Sequence, residues 1–148
     1  MRDSAIASQR LPWHGWTLAV IYLLYSLAAA FDYVMSFVQG ADYYRASGMT
    51  DAQVVYFSSL PMWVLAAWTL SVWGGLLAPL ALMARRRFSR ELFVLSLLGV
   101  LLYILYTLVL SAGREAMGGL WFMPIAIAVI TAGFIVYCHQ LIKRRVLV

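Results

Sequence analysis

The sequence predicts an all-α membrane protein: one integral-membrane domain over residues 1–148, folded as an antiparallel bundle of four transmembrane helices with both termini in the cytoplasm. Three observations carry that prediction. Hydrophobic residues make up 64% of the chain and charged residues 11%. Four apolar runs are each long enough to cross a bilayer. The basic residues fall almost entirely on alternate connections between those runs.

Composition excludes the ordinary soluble domain, which is ~45–50% apolar and ~25% charged. A water-soluble chain of this size has too little interior to hide so much apolar surface, whereas lipid tails accept it. The net charge of +5 is not a nucleic-acid footprint, because the basic residues flank apolar runs and no reading motif accompanies them. The single cysteine, Cys138, leaves no intramolecular disulfide and no multi-cysteine metal site.

Crossing a hydrocarbon core of ~30 Å takes about 20 residues of helix. The spans run from about 16–37, 61–83, 92–111 and 120–142. Helix is required, because lipid offers no partner to exposed backbone groups and the runs lack the alternation of a barrel strand. The triplet Ala28-Ala29-Ala30 resembles a signal-peptide cleavage site. The apolar run continues past it to Val38, and Asp3 sits in the leader, so the first span is expected to be retained. Of the 11 Lys and Arg residues, only Arg45 and Arg114 fall on one side; the others, from Arg2 and Arg10 through the Arg85-Arg86-Arg87 cluster and Arg90 to Lys143, Arg144 and Arg145, share the opposite side. By the positive-inside rule that side is cytoplasmic.

The short connection around Arg85 makes the second and third spans antiparallel neighbours. The first outer loop is long. Within it Thr50-Asp51-Ala52-Gln53 reads as a capping box opening a short interfacial helix over about 51–59, ended by Pro61. Small residues at four-residue spacing, Ala67, Ser71 and Gly75 on the second span and Ala128 and Ala132 on the fourth, predict close helix packing. Pro79 and Pro124 are candidate kinks.

The first span carries a polar stripe, Tyr22, Tyr25, Ala29, Asp32, Ser36 and Gln39, and the third a similar one, Ser96, Gly99, Tyr103 and Tyr106. The strings Tyr22-Leu23-Leu24-Tyr25-Ser26 and Tyr103-Ile104-Leu105-Tyr106-Thr107 match closely, as in a parallel two-helix repeat. Asp32 is the one carboxylate within a span, some ~9 Å below its outer end. An ionised group at mid-bilayer costs roughly 2.5–3.5 kcal/mol, so such residues face the bundle or a watery cavity. Three readings stand for it: a structural pair or hydrogen-bonded carboxyl, a ligand or cation site open to the outside, and a carboxyl that takes up and releases a proton. Arg114 is its natural partner by depth, and Arg45 the second candidate. The ligand-binding set expected on the outer side is Asp32, Tyr25, Tyr33, Ser36, Tyr103, Tyr106 and Arg114. His139 has no second ligand at metal spacing, and no nucleophile–His–acid set assembles on one side, so neither catalysis nor a metal or cofactor is expected.

The segments Asp32-Tyr33-Val34-Met35, Tyr56-Phe57, Pro61-Met62-Trp63, Ala67-Trp68, Val72-Trp73-Gly74-Gly75 and Ser96-Leu97-Leu98-Gly99 cover, with their surroundings, about half the chain. On these the chain resembles a family of small bacterial four-helix inner-membrane proteins, some of them automatically labelled "sugar transporter". The resemblance implies a multi-pass protein of the bacterial inner membrane and adds weight to transport. The expected function is that of a non-enzymatic membrane protein: a transporter or solute-binding component for a small sugar-like or cationic solute, working as a homo-oligomer. The alternative is an accessory or assembly subunit held by other membrane subunits. Its partners are the lipid bilayer and a small polar solute, with no nucleic acid.

Overall fold

The computed structural model describes residues 10–148; Arg2 and Asp3, which entered the charge and leader arguments, lie outside them. Four long helices form the bundle: α1 (Trp13–Val38), α4 (Met62–Met83), α5 (Ser89–Ile104) and α7 (Met123–Lys143). The connection from α1 to α4 holds two short helices, α2 (Ala41–Ala46) and α3 (Asp51–Ser58), and that from α5 to α7 holds α6 (Gly113–Met117). All four long segments are long and apolar enough to cross a membrane, α5 counting with its extension to Leu110. The expected capping box of α3 is present: the Thr50 hydroxyl accepts from the Gln53 backbone N–H, and the Gln53 side chain accepts from the Thr50 N–H. Helix α2 follows Gly40 in the left-handed region, and was not anticipated from the sequence.

Three spans start three residues away from expectation, the first of them at Trp13, directly after Pro12. The third helix starts at Ser89 because Ser89, Arg90 and Glu91 complete its first turn beyond the apolar run; at its other end it loosens into a π-helical stretch, Leu105–Leu110. The fourth starts at Met123, after a 3₁₀ turn over Gly118–Leu120. Pro124 therefore sits in the first turn, where a missing N–H is of no consequence, and does not kink the helix.

The long helices pack in the order α1–α4–α5–α7. The closest approach is α4 on α5. A Cβ added to Gly99 would strike the Ala67 carbonyl and lie 2.7 Å from the Ser71 nitrogen; one added to Gly74 would lie 3.2 Å from the Leu92 carbonyl. The small-residue face expected on the second span is thus the face that α5 meets. Ser96 strengthens the contact by donating its hydroxyl to the Ser71 carbonyl at 2.8 Å. Helices α1 and α7 meet through side chains: Tyr22 packs edge-on against Phe134, centroids 4.8 Å apart, and His14 against Tyr137.

The bundle is solid at the end carrying the arginine cluster. There Phe93 stacks on Phe134 with Tyr22 closing the trio, and Leu82, Cys138 and Leu141 surround them. Val146 and Leu147 turn back into this core and are 3% and 0% exposed. The return is made by Arg145 in the left-handed region (φ 55°), where the Val146 N–H reaches the Leu141 carbonyl as in a Schellman ending. Arg85 does the same after α4 (φ 56°). The two endings are then laced together: the Val148 N–H donates to the Arg85 carbonyl, and the Arg87 N–H to that of Val148. A charged side chain occupies both positions that glycine would fill without strain, at a cost of about 1 kcal/mol each. Leu147→Ala is expected to destabilise the fold by about 2–4 kcal/mol, read as a lower melting temperature in detergent.

Candidate functional site: a cavity at the long-loop end

At the opposite end, toward the long α1–α4 connection, the four helices diverge around a cavity of about 290 Å³, close to the lower size of small-ligand pockets. Tyr22, Ser26, Gly75 and Ser96 form its floor, above the aromatic core. Tyr25, Ala29 and Asp32 of α1 face Val100 and Tyr103 of α5 across it, and α7 contributes Pro124 and Ile127. The roof is Tyr44, Met49, Phe57 and Leu60, from the connection that holds α2 and α3.

Of the expected site residues, the structure brings Tyr25, Asp32 and Tyr103 together and places the other four elsewhere. Tyr33 follows Asp32 directly, so it points about 100° away around the helix; it donates to the Thr69 hydroxyl at 2.7 Å and packs against Trp68. Ser36 is buried and donates to the backbone carbonyl of Asp32 at 2.7 Å. Tyr106 lies edge-on to Trp63, because the π stretch beginning at Leu105 turns it off the stripe that holds Tyr103. Arg114 lies over the Trp121 indole, 4.7 Å from its centroid. The anticipated Asp32–Arg114 pair is not made: Gly113 sits tight against Thr107 and Tyr56, which fixes α6 in place. Arg45, the second candidate, is held by Asp42 at 3.3 Å.

Asp32 therefore has no basic partner among the described residues. Among the described residues its one side-chain hydrogen bond comes from the Tyr43 hydroxyl, which donates to Oδ1 at 2.9 Å and leaves Oδ2 open. The hydrogen bond it gives to the Asp32 carboxylate pushes the Tyr43 phenol above its ordinary value. Tyr43 belongs to α2, and α2 lies between Gly40 (φ 56°) and Gly48 (φ 82°), both in a conformation that suits glycine. The neighbouring α3 is tied down independently: Gln53 Nε2 donates to the Ala116 carbonyl at 2.7 Å, and Tyr56 to the Ser111 hydroxyl at 2.7 Å.

The hydroxyls of the floor have little left to donate. Ser26 gives its proton to the Gly75 carbonyl at 2.9 Å and Ser96 to that of Ser71. The Thr131 hydroxyl is spent on the Ile127 carbonyl, so Tyr22, 2.9 Å from it, is the donor of that pair. What these oxygens present to the cavity is lone pairs. Asp32 adds the one formal charge, which is negative. The rest of the wall is mostly aromatic, aliphatic or thioether, with the Ser71 hydroxyl, the phenols of Tyr25, Tyr44 and Tyr103 and the Trp68 indole N–H as its further polar groups.

The cavity also opens sideways. Among its lining residues only Tyr25, Asp32 and Met123 are exposed, and all three stand on α1 and α7, the two ends of the packing order α1–α4–α5–α7, which do not pack closely on each other. Tyr22, Ser71 and Ser96 are visible in the sequence as members of polar or small-residue stripes, and Ser26 is not. Their convergence on one cavity depends on helix rotations that periodicity does not carry. No metal-ligating cluster of His, Cys, Asp and Glu occurs among the described residues. No family model, no curated protein and no solved structure matches the chain, and the site stands on its own geometry.

Proposed function

We propose that this chain is a non-enzymatic protein of the bacterial inner membrane that binds a small solute in the cavity, as a transporter or its solute-binding component. The observation that carries the reading is a cavity between the four long helices lined by a carboxylate that has no basic partner among the described residues. A carboxylate serving only to hold the bundle together would be met by a cation or by several donors; Asp32 is met by one hydroxyl from a glycine-flanked helix. The charge bias supports an orientation with the arginine end in the cytoplasm and the cavity on the outer side. The resemblance drawn from the sequence supports transport. Four helices make a thin bundle, and the packed aromatic core beneath the cavity leaves no path through a single copy, which favours work as an oligomer.

The test is the melting temperature of the detergent-purified protein, wild type and Asp32→Asn, against sugars, inorganic cations and small amines. A solute at a hundred times its Kd stabilises the fold by about 2.7 kcal/mol. At least one is expected to raise the wild-type melting temperature by several degrees and to lose that effect in Asp32→Asn. A flat panel, with other membrane subunits co-purifying in fixed proportion, would instead establish an accessory or assembly subunit.

A further inference from the structure

Resting on that reading, we infer that the cavity selects small lipophilic primary ammonium ions and admits them sideways, from the outer leaflet, between α1 and α7. The chemistry of the wall separates this class from the alternatives. A sugar presents donors and acceptors in near-equal number and needs both from its site. Here Ser26, Ser96 and Tyr22 have committed their protons elsewhere, and the donors that remain, on Tyr25, Tyr44, Trp68, Ser71 and Tyr103, are set in a wall that is mostly apolar, so a neutral polyol would leave many of its hydroxyls unpaired. An inorganic cation would want several oxygens around it, while most of this wall is hydrocarbon, aromatic ring or sulfur. An ammonium head on an apolar body satisfies both halves. Its N–H donors meet the open Oδ2 of Asp32, and its body lies against Val100, Trp68 and Tyr103, the last two with rings that also favour a cation nearby.

Depth agrees with this assignment. Asp32 lies ~9 Å below the loop end of α1, where a charged head still reaches the interface, and Tyr25 lies two turns deeper, ~10 Å further along the helix. A ligand seated between them has its head near the headgroups and its tail in the hydrocarbon, as an amphiphile lies in the bilayer itself. The mouth between α1 and α7 faces that layer. A molecule already dissolved in the outer leaflet enters without first returning to water.

The experiment uses 2-phenylethylammonium and its neutral carbon isostere, propylbenzene, on the whole protein in lipid nanodiscs, with melting temperature and calorimetric titration as readouts. The ammonium is expected to bind at least about tenfold more tightly than the isostere, the usual worth of a hydrogen bond to a charge, and to lose a similar factor in Asp32→Asn. The isostere comparison requires no variant, so it holds whether or not Asp32→Asn folds. For the route, Met123→Cys places a thiol at the mouth, while the native Cys138 is fully buried. Bound 2-phenylethylammonium is expected to slow N-ethylmaleimide labelling of that thiol at least about threefold. Equal binding of the isostere overturns the charge selection and leaves the cavity a binding site. Protection by a sugar or an inorganic cation, with no effect of the amine, overturns the ligand class and leaves the function proposed above. Silence from every solute overturns both. Binding with undiminished labelling overturns the lateral route.

Discussion

Gly99→Leu will part α4 from α5 and leave little folded protein to purify. The position has no space for even one carbon, since a Cβ there collides with the Ala67 carbonyl and stands 3.1 Å from the Ser71 Cα. Those obstacles are backbone, which cannot swing aside as a side chain would. Gly99→Ala should already cost about 1–3 kcal/mol, the usual price of overpacking a tight contact, and leucine more. Gly133→Ala is the control: nothing lies within 4 Å of its added Cβ, and replacing a mid-helix glycine should gain about 0.5–1 kcal/mol. Unfolding in increasing SDS, followed by far-UV circular dichroism, ranks the three. Equal behaviour of the two alanine variants would show that α4 and α5 are not held by backbone proximity.

Phe93→Ala carries the second large effect. Its ring is fully buried and lies 5.1 Å from that of Phe134 and 5.3 Å from that of Tyr22. Its removal leaves a hole where α1, α5 and α7 converge, with an expected loss of about 3–5 kcal/mol. Tyr22 and Phe134 are the contacts that bring α1 to α7, so the damage should reach the seam beside the cavity floor. Phe93→Leu keeps most of the volume and should cost much less. A Phe93→Ala protein that melts within a degree of wild type would show the aromatic trio to be dispensable.

The four spans were legible because bilayer thickness sets a length that a run of apolar residues either meets or fails. The cap of α3 was legible for a similar reason: Thr50 and Gln53 act within three residues of each other. The small-residue face of the second span was read correctly because only small residues let two backbones touch, and Ala67, Ser71 and Gly75 say so without help from their partner. The site was legible only in part. Asp32 and Tyr25 lie seven residues apart on one straight helix, and periodicity holds that far. Tyr106 escaped because the π stretch that begins at Leu105, two residues after Tyr103, resets the phase. Tyr33 was grouped with Asp32 for its chemistry although neighbouring residues on a helix diverge. Arg114 was matched to Asp32 by depth, but depth fixes one coordinate of three, and its guanidinium found an indole first. The inward turn of Leu147 was hidden for another reason. A left-handed residue was needed at Arg145, where the sequence offers arginine, and nothing local announces that conformation.

The division of the bundle into a packed end and a hollow end bears on how such a protein changes over time. Contacts that keep it folded gather around Phe93 and Leu147 and reach only the floor of the cavity, whereas its upper walls ring an empty space. A mutation at Val100, Ile127 or Met49 alters the shape of that space without removing a keystone. The cavity can therefore change by small steps while folding stays above the threshold that selection enforces. Robustness at one end is what permits experiment at the other.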